Sequence, residues 1–303
     1  MVTVALVGAA SAASSLEERK LPMKFSWNAD SPSRGCEPQC RGWVSATGIV
    51  TAETYQAFEE FAAKRDLRGV TIVLDSGGGS VLDSIKLGRR WRELRMSTTV
   101  GTVVAPPADG AIAARASIMP DAYCESMCVF LLLAGVNRYV PPGAHLRVHQ
   151  IWMGDRAEDA KAATYSADDV FVIERDVGRL AKYTFEMGGS GDLLEIALSV
   201  PPWKPLRELT AEEIRTGNLS SVETLADVLP GIGTVPMVSV TKPTQDRFAG
   251  EQQKTAEIKA PTVTVNTENK WSNTRRAGVL RALPMVTSHD GLNARIAPRD
   301  YGW

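Results

Sequence analysis

The sequence predicts an α/β domain in which short buried strands alternate with amphipathic helices. Three observations lead to this class. Apolar, β-branched runs such as GVTIVL (69–74) are typical of buried strands. Segments with one apolar helical face follow such runs, and glycine-rich turns separate the two. Strands that alternate with helices indicate parallel pairing with right-handed crossovers.

Each predicted element is defined by its own periodicity. The helices repeat apolar residues at helical spacing, and they are 53–67, 81–94, 128–136, 166–187, 191–199 and a last one that begins at 210. The strands are apolar runs between turn residues, and they are 69–74, 97–104, 137–140 and 144–152. Ser166 with Asp169 and Thr210 with Glu213 have capping-box spacing. The segment 21–48 shows no clear period, and we expect it to be irregular.

Composition divides the 303 residues into three regions. Residues 1–20 contain an apolar stretch, an A-x-A pattern ending at Ala12 and then polar residues, which predicts the remnant of an export signal. A buried N-terminal strand is the alternative. Residues 21–235 form the predicted α/β domain. Residues 236–303 are polar without a sustained apolar period, and we expect a linker and a disordered tail.

The charge balance excludes several classes of protein. The net charge is −1, so no basic surplus favours binding to nucleic acid. No apolar run reaches the roughly 18 residues that a membrane span requires. No P-loop motif for nucleotides is present. Together with the predicted export signal, these features predict a periplasmic or secreted protein.

The four cysteines form two C-x3-C pairs, Cys36 with Cys40 and Cys124 with Cys128. In an oxidising compartment an even number of cysteines indicates disulfides. Four cysteines allow three pairings, and local pairing is favoured because each pair is close enough to close without moving distant segments. Zinc ligation and small buried thiols are the alternatives, and we expect no metal site.

Three features together indicate acyl-transfer chemistry: three glycines at 77–79, Ser126 before a buried helix, and His149 in a strand. Acyl transfer needs a nucleophilic hydroxyl, a base and N–H donors for the oxyanion. Each feature alone has a structural explanation as a tight turn, a helix cap or a packed histidine. His145 lies on the same strand face as His149, so alternation does not choose between the two histidines.

The motifs SGGGSV (76–81), ESMCVFLLLAG (125–135) and VHQI (148–151) occur in that order. They resemble the SPGGSV, ASMGA and IHQP motifs of the proteolytic subunit of the Clp protease, in the Clp/crotonase superfamily. The resemblance covers about residues 40 to 220 and implies that superfamily's superhelix of ββα units. The arrangement of a serine between two cysteines is similar to that in a group of exported bacterial proteins related to that peptidase.

Residue by residue, the resemblance implies that Ser126 is the nucleophile and His149 the base. It places the oxyanion donors at the backbone N–H groups of Gly79 and Met127. The bridge between Cys124 and Cys128 would then hold the turn that presents the serine.

Two departures from the family pattern affect this site. Gly77 replaces the family's proline, which leaves the donor glycines intact. The family's triad aspartate would fall near Leu206, and no aspartate lies between Asp192 and Asp227. Glu208 is the candidate substitute, and a Ser/His dyad is the alternative.

The sequence therefore predicts an exported serine hydrolase, a Clp-like peptidase without a cofactor. Its substrates would be peptides or unfolded proteins, its assembly could be homo-oligomeric, and no ATP-dependent unfoldase is expected as a partner. Two alternatives remain open on the same fold: a catalytically inactive binding protein and a crotonase-type acyl-CoA enzyme.

Overall fold

The protein is described by a computed structural model over residues 18–29, 41–104, 116–153 and 164–229. The strands are β1 (Lys24–Ala29), β2 (Gly42–Val50), β3 (Thr71–Gly79), β4 (Ser97–Val100), β5 (Thr102–Val104), β6 (Ser117–Met119), β7 (Tyr123–Glu125), β8 (Arg138–Tyr139), β9 (His145–Val148) and β10 (Arg207–Glu208). The helices are α1 (Thr54–Ala62), α2 (Val81–Glu93), α3 (Met127–Leu132), α4 (Ala167–Glu186), α5 (Gly191–Leu198), α6 (Ala211–Thr216) and α7 (Leu225–Val228). The predicted α/β class is confirmed.

Strand β3 lies at the centre of the main sheet, and its first and last parts pair with different strands. The sheet runs in the order β1-β2-β3-β7-β9-β10, and β4 pairs with both β3 and β8. Residues 71–74 of β3 pair with β4, whereas Ser76 pairs with Cys124 of β7. The pairs that flank β3, and the pair β7–β9, are parallel. The carboxyl ends of β3, β7 and β9 therefore meet at one edge, where ligands of open parallel sheets bind.

Helix α3 fills the core between the sheet and α2. All six residues of α3 are buried, and each fully buried Leu or Phe side chain contributes about 1.5–3 kcal/mol. Helix α2 approaches α4 closely because residue 88 is glycine: a Cβ on Gly88 would collide with Oη of Tyr183. The hydroxyl of Tyr183 donates to the carbonyl oxygen of Phe130 at 3.3 Å, which ties α4 to α3.

Several predicted elements are confirmed, and others are corrected. The capping boxes at Ser166 and Thr210 are present. The segment 21–48 was expected to be irregular, but it contains β1 and the start of β2, which pair antiparallel from 24 with 47 to 29 with 42. Strand β3 continues to Gly79 through the glycines that were predicted to turn. The strand predicted over 97–104 breaks at Gly101, where a Cβ would collide with the side chain of Ile118.

Some predictions concern residues outside the described ranges: nearly all of the export signal at 1–20, the pair Cys36 and Cys40, and the tail from 236 to 303. Within the described ranges, no helix is both long and apolar enough to span a bilayer.

Candidate active site

Ser126 occupies the turn between β7 and α3 with an unusual backbone conformation, φ 55° and ψ −123°. In the described part of the chain, only Arg95, Ser126 and Asn218 have positive φ without being glycine. A residue held in such a region costs about 1–3 kcal/mol, and this strain occurs most often at functional sites. A serine on a sharp strand-to-helix turn is the arrangement that presents the nucleophile of α/β-hydrolases.

Hydrogen bonds on both sides hold the serine turn in place. The N–H of Ser126 donates to the carbonyl oxygen of Arg147 at 2.7 Å, and the N–H of Val129 donates to the Ser126 carbonyl at 3.1 Å. Ser126 is only 5% exposed. The serine turn, residues 125–127, is therefore a buried and ordered part of the core.

His149 follows β9 directly, and the register between β7 and β9 gives its position along the sheet edge relative to the serine turn. Glu125 pairs with Arg147 in this parallel ladder, so Ser126 is level with Val148 and His149 is the next residue. Both residues therefore follow the carboxyl ends of neighbouring parallel strands, and their positions along the ladder differ by one residue.

The hydrogen bond of the His149 ring determines which nitrogen is protonated. Nδ1 lies 2.8 Å from the carbonyl oxygen of Gln150. A carbonyl can only accept, so Nδ1 carries the proton and Nε2 of the neutral ring is an acceptor. Burial lowers the pKa of His149 from 6.5 to about 4, partly opposed by the bond to Gln150. His149 is therefore neutral at pH 7, as a general base must be.

The last three residues of β3, the glycines at 77–79 (the glycine loop), pack against the serine turn through Gly78. A Cβ on Gly78 would lie 2.7 Å from the Cβ of Ser126 and 2.9 Å from the amide nitrogen of Met127, and its φ is +98°. The N–H of Gly78 donates to Oγ of Ser76 at 3.1 Å. Only glycine fits at this position, so the close approach of loop and turn depends on it.

The two predicted oxyanion donors flank this contact. Gly79 follows Gly78 with φ +129° and packs on Val50 of β2. Met127 is the first residue of α3, and the first N–H groups of a helix have no acceptor within the helix. Gly77, where the family has proline, has room for a Cβ: its nearest neighbour would be the carbonyl oxygen of Arg19 at 3.4 Å.

A disulfide joins the strand and the helix on either side of the serine. Cys124 of β7 and Cys128 of α3 are bonded, with their Cα atoms 5.1 Å apart, and both residues are fully buried. The predicted pairing of Cys124 with Cys128 is confirmed. The bridge closes a short loop across the serine turn and limits how far β7 and α3 can separate.

The structure does not bring Glu208 to His149, and this corrects its assignment as the third triad member. Strand β10 pairs antiparallel with β9 and places Glu208 opposite Arg147. One carboxylate oxygen lies 2.7 Å from Nδ1 of His145, and the other lies 3.3 Å from Nε of Arg147. Burial would raise the pKa of Glu208, but these two partners lower it below its usual value.

His145 is at the opposite end of β9 from the serine turn. It pairs with Tyr123, stacks on that ring at 4.6 Å and contacts Asp121 through Nε2 at 3.5 Å. His145 and His149 are four positions apart, about 13 Å along an extended chain. By register His145 is three positions from the level of Ser126, whereas His149 is one position from it.

Sequence reasoning missed Arg147 and Glu125, which border the site. Nη1 of Arg147 lies 3.5 Å from Oε1 of Glu125, the residue before the serine. The available signal was a pair of opposite charges at the edges of the ESMCVFLLLAG and VHQI motifs. The strand register that pairs these charges is not visible in the sequence. In the described part of the molecule, no group of His, Cys, Asp and Glu is arranged to hold a metal ion.

The chain matches no protein-family model and no curated protein sequence. Fold and site alone therefore define its class: an α/β protein with a candidate serine–histidine site where two parallel strands end.

Proposed function

We propose that the chain is an exported serine hydrolase that cleaves peptides or unfolded protein segments, with Ser126 as nucleophile and His149 as base. The observation that supports this most is the conformation of Ser126. A buried serine is held at positive φ at a strand-to-helix turn, and the neighbouring parallel strand ends in a histidine whose Nε2 can accept a proton. Peptides are proposed as substrates because the three motifs resemble those of the Clp peptidase.

In the proposed reaction, Nε2 of His149 takes the proton of Ser126 Oγ as this oxygen attacks the scissile carbonyl. The N–H groups of Gly79 and Met127 would stabilise the oxyanion, with each such donor contributing about 2.7–4 kcal/mol to the transition state. His149 then donates the proton to the leaving amine, and water hydrolyses the acyl-serine by the same steps in reverse.

The orientation of His149 comes from a backbone carbonyl in this mechanism. The Gln150 oxygen fixes Nδ1 as the protonated nitrogen, which is one of the two tasks of a triad carboxylate. A carbonyl dipole stabilises the imidazolium less than a full negative charge would. We therefore expect a Ser/His dyad with slow turnover.

The buried disulfide supports an extracytoplasmic location, since disulfides persist in oxidising compartments. Assembly into homo-oligomers, and activity without an ATP-dependent unfoldase, are part of the proposal through the resemblance. The substrates would then be small or already unfolded.

A catalytically inactive binding protein is the second candidate, and the pKa of His149 favours it. A base with a pKa of about 4 has less driving force for proton abstraction than one near 7. The same glycine loop and serine turn would then form a peptide-binding edge without turnover.

Labelling with a fluorophosphonate probe distinguishes the two candidates. We expect wild type to be modified at Ser126, Ser126→Ala to remain unmodified, and His149→Gln to react at least about 100-fold more slowly. His145→Gln is the matched control and should react within a few-fold of wild type. A folded wild-type protein that is not modified at Ser126 would exclude the hydrolase and favour the binding protein.

A further inference from the structure

Arg147 contacts the residue proposed as nucleophile and the residue before it. Its backbone carbonyl accepts the N–H of Ser126 at 2.7 Å. Its side chain reaches Glu125, the residue before the serine, with Nη1 3.5 Å from Oε1. The side chain of Glu125 is 8% exposed and that of Arg147 18% exposed. A pair so shielded from solvent interacts more strongly than a surface pair.

The outer side of Arg147 is held by groups from two further positions. Nε lies 3.3 Å from Oε2 of Glu208 on β10, and the guanidinium carbon lies 4.8 Å from the ring centre of Tyr123 on β7. The Tyr123 ring also stacks on His145 at 4.6 Å and lies 4.3 Å from the guanidinium of Arg19. The guanidinium is thus fixed in one orientation between β7 and β10.

The ladder that this network supports is short. Strands β7 and β9 pair at only three positions, 123 with 145, 124 with 146 and 125 with 147. Three pairs supply few backbone hydrogen bonds, and a shift of one residue would turn every side chain to the other face. A charged pair at the last of these positions favours one register over its neighbours. That register sets the position of His149 along the sheet edge relative to Ser126.

We propose that Arg147 is a positioning residue that, through Glu125 and the Ser126 amide, fixes the serine turn relative to His149. This inference rests on the proposed function, because the quantity it controls is the rate at which Ser126 reacts. None of the Arg147 contacts described above involves Oγ of Ser126 or the ring of His149. A displacement of about 1 Å in a reacting group is enough to slow a reaction on the order of 100-fold.

The test measures the second-order rate constant of fluorophosphonate labelling per folded molecule, well below the thermal transition, in full-length wild type, Arg147→Ala and Arg147→Lys. We expect Arg147→Ala to react about 10- to 100-fold more slowly, and Arg147→Lys to recover part of the loss because an ammonium can still pair with Glu125. Arg207→Ala is the control, because it removes an arginine from β10, the strand next to β9. Arg207 pairs with Glu213, whose side chain is more exposed than that of Glu125. Its rate should stay within two-fold of wild type.

A purely structural role would lower the thermal transition and the fraction of reactive protein while leaving the rate constant per folded molecule unchanged. That result would overturn the inference and leave the hydrolase proposal intact. Wild type that is not labelled at all would overturn both. If Arg147→Ala does not fold, Glu125→Gln replaces it, because it keeps the side-chain shape and removes the charge. An unchanged rate constant in folded Glu125→Gln would equally overturn the inference.

Discussion

Gly78 lies so close to Ser126 that a methyl group on its α-carbon would stand 2.7 Å from the serine Cβ. The contact joins the glycine loop at the end of β3 to the serine turn at the end of β7. Strands β3 and β7 pair at a single position, Ser76 with Cys124. Direct packing of glycine on the serine turn, more than sheet hydrogen bonding, therefore holds these two parts of the candidate site together.

Gly78→Ala should disrupt this contact. The new methyl group would meet backbone atoms at Glu125 and Met127, which cannot rotate away, and alanine is strained at φ +98°. We expect a loss of about 3 kcal/mol in the free energy of unfolding and at least a 100-fold slower labelling of Ser126. Urea unfolding and fluorophosphonate labelling measure the two effects.

Gly178→Ala is the matched control for this substitution. Gly178 lies in α4, and a Cβ there would meet nothing within 4 Å. Replacing an exposed helix glycine by alanine should stabilise the protein by about 0.5–1 kcal/mol and leave labelling unchanged. Equal stability changes for the two alanines would show that the close contact at Gly78 is not maintained in solution.

The disulfide should affect the reactivity of the serine more than the stability of the fold. Closing so short a loop removes little chain entropy, worth about 2 kcal/mol. Cys124→Ala/Cys128→Ala should therefore fold with a modest loss of stability, while the serine turn loses the link between β7 and α3 and labels more slowly. Peptide mapping without reduction should recover Cys124 joined to Cys128. A peptide joining either of them to Cys36 or Cys40 would contradict the structure.

The partly buried His149 predicts a specific dependence of stability on pH. Its pKa is lowered from 6.5 to about 4, so between these values the unfolded chain binds a proton that the folded protein does not. The free energy of unfolding should therefore fall as the pH decreases from 6.5 to 4, by up to about 3 kcal/mol from this group. Urea unfolding of wild type and His149→Gln across this range isolates the contribution. Parallel curves for the two proteins would show that His149 titrates normally.

Glu208→Gln tests the corrected assignment of the glutamate. Removal of a triad carboxylate costs about 10⁴-fold in rate, because the histidine loses its orientation and its counter-charge. Glu208 contacts His145 and Arg147, so we expect less than about a 10-fold change in Ser126 labelling. A loss near 10⁴-fold would mean that the glutamate reaches His149 when substrate is bound.

The sequence by itself determined the elements with strong periodicity and the order of the motifs. The apolar run VFLLL predicted a buried helix, and the spacing of Ser166 and Asp169 predicted a helix start, because composition and capping are local properties of the chain. The sequence favoured the pairing of Cys124 with Cys128 because residues four apart are close enough to be bridged, and the structure contains this bridge.

Only the tertiary structure shows how each histidine is placed against β7, and only it separates Glu208 from His149. Alternation places both histidines on one face, and the register of β9 against β7 pairs His145 with Tyr123 and leaves His149 two positions beyond the Glu125–Arg147 pair. The register of β10 likewise carries Glu208 to Arg147 and His145. Register depends on contacts between residues far apart in the chain, such as Glu125 with Arg147, and no local pattern in one sequence encodes which strand meets which.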